Sequence, residues 1–199
     1  MRISFDVQDL LIASWETERE AVARVAPGGA EPSAVGGRYL VSIVSFRVRG
    51  GRVGRVPAPP FSQLNVRTYV TWTGEPAVLF LASRVTLGGL GGIVLGAPYR
   101  LARIRLRPGE ARAPGLGLSL RYRTGGPADP GELGRHELGI FELSRVRSIR
   151  ITRGEADWRS AQLVEPARAD LLLAYGFAAA GEPDLLYSAR ASFQSGLPD

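Results

Sequence analysis

Apolar runs alternate with short Gly- and Pro-rich breaks along the chain, and the spacing inside the runs changes after the first thirty residues. Over Asp9 to Ala26, Ile12, Trp15, Val22 and Val25 recur at helical spacing. Glu16, Glu18 and Glu20 fall in the early turns, where the helix dipole favours acids, and Glu20 and Arg24 form an i,i+4 pair. Pro27-Gly28-Gly29 then stops the run, so the spacing predicts a helix over 9–26. From there the pattern is mostly that of strands. Tyr39 to Arg49 is a dense β run, closed by Gly50-Gly51 and the proline cluster Pro57, Pro59 and Pro60. Leu64 to Trp72 and Ala77 to Val85 follow, parted by the hairpin signal Thr73-Gly74-Glu75-Pro76. Leu87 to Leu95 is apolar but broken by glycines, which leaves helix and loop both open. Arg100 to Arg107 and Leu116 to Arg123 alternate as strands. Pro127 to Gly134 reads as a connector with a helical turn toward His136. Leu138 to Leu143 and Val146 to Arg153 predict a hairpin, Ala167 to Tyr175 a short helix, and Leu185 to Phe193 a last strand. Many short strands with few helices predict a mainly β (α+β) protein: an antiparallel sandwich or barrel, one domain over 1–199.

Composition narrows the chemistry by what it lacks. All 25 basic residues are Arg, and there is no Lys and no Cys, with one His and one Met. No lysine means no Schiff base on a side-chain amine and no Walker-type phosphate lysine. Without cysteine there are no disulfides, thiolate nucleophiles or zinc-finger ligands. A lone imidazole, His136, matches no metal-binding spacing, so neither a metal nor a cofactor is expected. The N-terminal residues lack a signal peptide's apolar run, and no stretch approaches the ~20 apolar residues of a membrane span. A cytoplasmic protein without membrane contact is the expectation; a homo-oligomer is compatible with it.

A net charge of +6 and a pI near 10.4 raise the question of nucleic acid. Arg103, Arg105 and Arg107 share one strand face and Ser119, Arg121 and Arg123 another, with Arg145, Arg147 and Arg150 further on. An Arg-lined sheet face could bind RNA or polyphosphate, but RNA-binding sheets interleave stacking aromatics, and Tyr122 has the opposite parity. Arginines spread along the whole chain without lysine read better as the composition of a GC-rich genome and as solvated rows that keep strand edges apart.

The most informative strand is Phe61 to Val70. Gln63, Asn65, Arg67 and Tyr69 fall on one face, and Leu64, Val66, Thr68 and Val70 on the other. Three arrangements fit: a polar face in solvent, a polar face lining a barrel lumen, or a buried Arg that only bonds backbone carbonyls. In the lumenal arrangement Arg67 would grip a carboxylate, flanked by neutral donors that orient it. Tyr99, after Pro98, fits either a cavity mouth or the core. His136 in its Gly-flanked connector reads as a surface residue, and Glu137 and Glu142 as acids or bases only if they reach a cavity.

The run Asn65-Val66-Arg67-Thr68-Tyr69-Val70 resembles the signature of the YqjF-like family (domain of unknown function 2071), and the resemblance extends in order along almost the whole chain. It includes the Trp15 segment, Pro27-Gly28, Gly37-Arg38-Tyr39 into Ser45-Phe46-Arg47, Pro98-Tyr99 with Ala102, Trp158, and the closing Leu171-Leu172, Gly176, Pro183 and Leu185-Leu186-Tyr187-Ser188. The resemblance implies an antiparallel β-barrel of the acetoacetate-decarboxylase-like type, with short peripheral helices around a small-molecule cavity. It also favours the lumenal arrangement of the Arg67 face. The chain departs from the family in three places. Gln63 stands where relatives tend to carry Glu, Glu155-Ala156-Asp157 replaces a segment with a histidine before Trp158, and Arg135-His136-Glu137 replaces a Glu-Arg-Tyr. A catalytic role shared by the whole family is therefore not expected to carry over intact. Lysine-dependent decarboxylation is excluded, and whether the chain is an enzyme stays open.

The leading expectation is a small-molecule-binding barrel whose ligand is a small carboxylate or oxo acid. Arg67 would be the clamp, and Gln63, Asn65, Tyr69 and Tyr99 would orient the ligand. The alternatives are a nucleic-acid or polyanion binder using the Arg-lined faces, and a structural or partner-binding barrel with a filled lumen.

Overall fold

A computed structural model describes residues 3–89, 99–134, 136–142 and 146–195. In chain order its main elements are β1 (Ile3–Thr17), the α-helical segment α1 (Arg19–Val25), β2 (Ala30–Pro32), β3 (Tyr39–Val53), β4 (Val56–Pro57), β5 (Phe61–Trp72) and β6 (Glu75–Val85). These are followed by β7 (Tyr99–Leu101), β8 (Arg105–Arg107), β9 (Glu110–Ala113), β10 (Leu118–Pro127), β11 (Leu138–Glu142), β12 (Val146–Leu163), β13 (Arg168–Ala169) and β14 (Asp184–Ser195). The sheet runs β11-β6-β5-β3-β1-β14-β12, and β12 pairs back with β11, which closes a ring. Every pairing in that ring is antiparallel except β11 on β6. From β12 the order continues through β10, β9 and β8 as an arm outside the ring. The mainly β class and the barrel are thus as expected. No helix among the described residues is long and apolar enough to cross a membrane.

The central parts of β1, β3 and β5 bury both faces. Their outward face carries Leu11, Ala13, Trp15, Val41, Ile43, Leu64, Val66 and Val70, covered by Ile104, Leu106, Leu118, Leu120 and Tyr122 of the arm and its lead-in. Ala21 and Val22 of α1 and Leu171 and Leu172 of the 3-10 turn Asp170–Tyr175 complete that cover. The inward face holds Val7, Leu10, Ile12, Val44, Phe46, Val48, Phe61 and Val85 toward one end. Val35, Leu40, Tyr69 and Val78 form a separate inner cluster.

This double burial explains the largest departure from the sequence reading. Residues 9–17 are strand, and only 19–25 are helical. Leu10 to Trp15 are all buried because β1 lies between β3 and β14 with cover on both sides, so a period of two leaves no trace. Arg100 to Arg107 is two short strands: β7 lies parallel to β6, and β8 pairs with β9 after the chain has turned into the arm. The stretch read as a helix over 167–175 begins with a strand pairing to β10 and continues as the 3-10 turn. The hairpin at 138–153 forms, but its second strand continues to Leu163. Most of Leu87 to Leu95 lies outside the described residues, as does Arg145.

Candidate functional site

On β5 the inward positions are Phe61, Gln63, Asn65, Arg67 and Tyr69, and none exceeds 7% exposure. The outermost two, Phe61 and Tyr69, belong to the two apolar clusters of the interior, so the three polar side chains lie between them. From Gln63 to Val70 every residue of this strand is buried. The Gln63 amide donates to Asn65 Oδ1 at 2.9 Å and also reaches the Tyr99 hydroxyl, whose acidity burial weakens. The Tyr69 hydroxyl and Ser42 Oγ are 2.9 Å apart, and Ser42 continues to Ser14 at 2.8 Å, a chain across β5, β3 and β1. All five residues singled out from the sequence are therefore on the described interior side of the ring.

Arg67 differs from its neighbours. Its guanidinium carbon stands 5.5 Å from the centre of the Tyr69 ring. Its Nε and Nη2 are buried without a hydrogen-bond partner among the described residues, so it is not an Arg whose donors are all taken by backbone carbonyls. A buried guanidinium left in this state costs several kcal/mol unless an anion meets it.

Two residues that the sequence did not place in the site join this group. His136, expected at the surface, is half-buried with its ring centre 5.0 Å from that of Tyr69. Its Nδ1 lies 2.9 Å from the Glu132 carbonyl oxygen, which can only accept, so Nδ1 carries the hydrogen and a neutral ring keeps its lone pair on Nε2. Burial, and then the charges of Arg67 and Arg153, hold this imidazole below its ordinary pKa. Arg153 on β12 donates from Nη1 to the Leu133 carbonyl at 3.2 Å, while its Nε is buried and unpartnered among the described residues. Burial and the like charge of Arg67 bring its pKa down to about 10. Neither residue could be placed from spacing. His136 arrives on a loop, and Arg153 stands just before register shifts that break strand parity.

A cavity of about 300 Å³ opens beside Arg153, walled by Trp158 and Phe193 with Glu137 at its edge. Glu137 and Glu142 are exposed. The one buried carboxylate among the described residues, Asp9, is engaged elsewhere: it accepts from Arg47 and from the Tyr187 hydroxyl at 2.9 Å. Asp9 sits in a bulge of β1 with φ +51, a conformation that Asp tolerates better than most residues. Burial, and then the hydrogen bond and charge of Asp9, push the Tyr187 phenol up to about 12. Among the described residues no three His, Cys, Asp or Glu side chains gather as metal ligands. The interior can hold an anion through guanidinium donors, orient it through amide and hydroxyl groups, and offer one basic nitrogen.

The outer rows follow the expected parity. Ile104 and Leu106 are buried, and Arg103, Arg105 and Arg107 are exposed. Several of the surface arginines already face carboxylates: Arg112 with Glu110, Arg121 with Glu165 and Arg168 with Asp170.

Comparison with known proteins adds three findings. The model of the DUF2071 family, described as an uncharacterised conserved protein, matches residues 5–191. The uncharacterised protein YqjF of Bacillus subtilis is 30% identical over 78 residues, which is 37% of this chain and 32% of that protein, so the match spans about a third of this relative's length. Among solved structures, acetoacetate decarboxylase from Legionella pneumophila superposes with a TM-score of 0.69 at 9% identity, covering 100% of this chain and 86% of that one. The enduracididine biosynthesis enzyme MppR complexed with pyruvate gives 0.60 at 14% identity, covering 98% and 87%. At such identities the two structures establish the fold.

Proposed function

Since the chain belongs to the DUF2071 family and has the acetoacetate-decarboxylase-like fold, we propose that it is a small-molecule-binding barrel whose ligand is a small carboxylate or oxo acid held by Arg67. The observation that carries this reading is the buried Arg67 guanidinium, with two donor nitrogens that no described residue satisfies. Gln63, Asn65 and Tyr69 on the same face, with Tyr99 hydrogen-bonded to Gln63, would orient a ligand's neutral oxygens. That a structural neighbour at 14% identity is described with pyruvate bound makes a three-carbon oxo acid a reasonable first probe. Without lysine no Schiff base can form on a side chain, so any reaction here is of another kind.

The nucleic-acid reading has less support, because three arginines of the arm and its neighbour strand are already paired with acids. The test is thermal unfolding with and without millimolar pyruvate and acetate. Wild type is expected to gain several degrees and Arg67→Ala none, with far-UV circular dichroism checking that the variant is folded. Equal shifts in both proteins would rule out Arg67 as the clamp.

A further inference from the structure

Arg67 and Arg153 present a second question about the same interior. They stand on strands that the ring places nearly opposite one another: β6 and β11 separate β5 from β12 on one side, and β3, β1 and β14 on the other. Each has a buried donor nitrogen without a partner among the described residues, Nε and Nη2 on Arg67 and Nε on Arg153. Their like charges act on one another, and with burial they lower the pKa of Arg153, while the acids within reach do little to offset this. Glu137 is exposed at the cavity edge, Glu132 is exposed and accepts from the Gly36 amide, and Asp9 is committed to Arg47 and Tyr187. Solvent screens the first two.

Resting on the reading that Arg67 holds a carboxylate, we propose that Arg153 is a second anion-binding residue of the site and that the preferred ligand is a small dicarboxylate spanning the two guanidiniums. A monocarboxylate neutralises one arginine and leaves the other buried beside it with an unmet donor. A ligand with two carboxylates relieves both, and the cavity of about 300 Å³ beside Arg153, which Arg67 does not line, would receive the Arg153 end of a four- or five-carbon chain. Trp158 and Phe193 give that chain apolar walls, and the Arg153 guanidinium carbon lies 6.0 Å from the Phe193 ring centre. The methylenes of the ligand would therefore pack on aromatic faces while its ends meet the forks.

Isothermal titration with succinate, butyrate and succinamate separates the claims. These ligands share a four-carbon chain and differ in the second charge. Wild type is expected to bind succinate at least about tenfold more tightly than either monoanion. Arg153→Gln should weaken succinate far more than butyrate, so that the two bind alike, and Arg67→Gln should lose all three. Succinamate tests the second charge on the wild-type protein, so the result does not depend on a variant folding. Succinamate or butyrate binding as tightly as succinate, or a preference that survives Arg153→Gln, would overturn the dicarboxylate assignment and leave the Arg67 clamp standing. Binding of none of the three by wild type would overturn the clamp and this inference with it.

Discussion

A charged group inside a protein is informative when its partner is missing, and Arg67 sets the terms for every side chain near it. Tyr69 gives its ring to both Arg67 and His136, so the cation and the imidazole share one aromatic neighbour. The imidazole then feels Arg67 on β5, Arg153 on β12 and, in the opposite sense, Glu132 and its carbonyl. Because this is the molecule's one histidine, its ring proton signals can be followed by NMR without assignment. In the free protein the ring is expected to titrate below 6.5, and Arg67→Gln should raise the value. The sign for stability follows. An unfolded chain takes up this proton first as pH falls, so the contribution of the neutral ring is whole above about pH 6.5 and is lost as pH falls through the folded value. Titration at or above the ordinary value would mean that the ring does not sit near two guanidiniums.

At the scale of elements, β11 is short but closes the ring, since it pairs with both β6 and β12. A β-carbon at Gly139 would lie 2.6 Å from the Phe80 ring and 3.1 Å from Ile149 Cγ2, so the strand approaches its neighbours only because this position is glycine. Gly139→Ala should cost about 1–3 kcal/mol in urea unfolding, whereas Gly115→Ala, at a site with open space, should cost far less. Equal costs would contradict the packing at the closure. Where alternation reports a buried face against a solvated one, as in Arg105 to Arg107 and Leu118 to Tyr122, the sequence reading and the fold agree. Where both faces are buried, as in β1, alternation vanishes and chance spacing of Ile12 and Trp15 mimics a helix. Where a strand carries bulges, as β12 does after Arg153, the faces exchange in a way that no fixed period records. The β5 half of the site was legible because β5 carries no bulge of its own and alternates cleanly. The β12 and loop halves depended on partners distant in sequence.

Taken as a whole, the molecule sorts one residue type into two roles. Most described arginines form a solvated coat, in part paired with acids across short surface distances, while Arg67 and Arg153 point inward. Removing the coat locally should therefore leave the interior untouched. Arg105→Gln with Arg107→Gln is expected to change unfolding free energy by less than about 0.5 kcal/mol per site and to leave carboxylate affinity as in wild type. A loss of carboxylate response in that double variant would show that the division between coat and interior is wrong. Length and strand count made the barrel readable, and the resemblance supplied its type. The order of strands around the ring could not be read, because it depends on which distant segments meet.

That order has a consequence for how the protein is made. β1 lies between β3 and β14, and the Tyr187 hydroxyl reaches Asp9 across 178 residues of chain. On the ribosome the first strand emerges with one neighbour soon available and the other still unsynthesised. Until β14 arrives, one edge of a strand apolar on both faces stays open, and the ring cannot close. Folding dominated by such long-range pairing is slow, and the unclosed intermediate is the species at risk of pairing with a stranger.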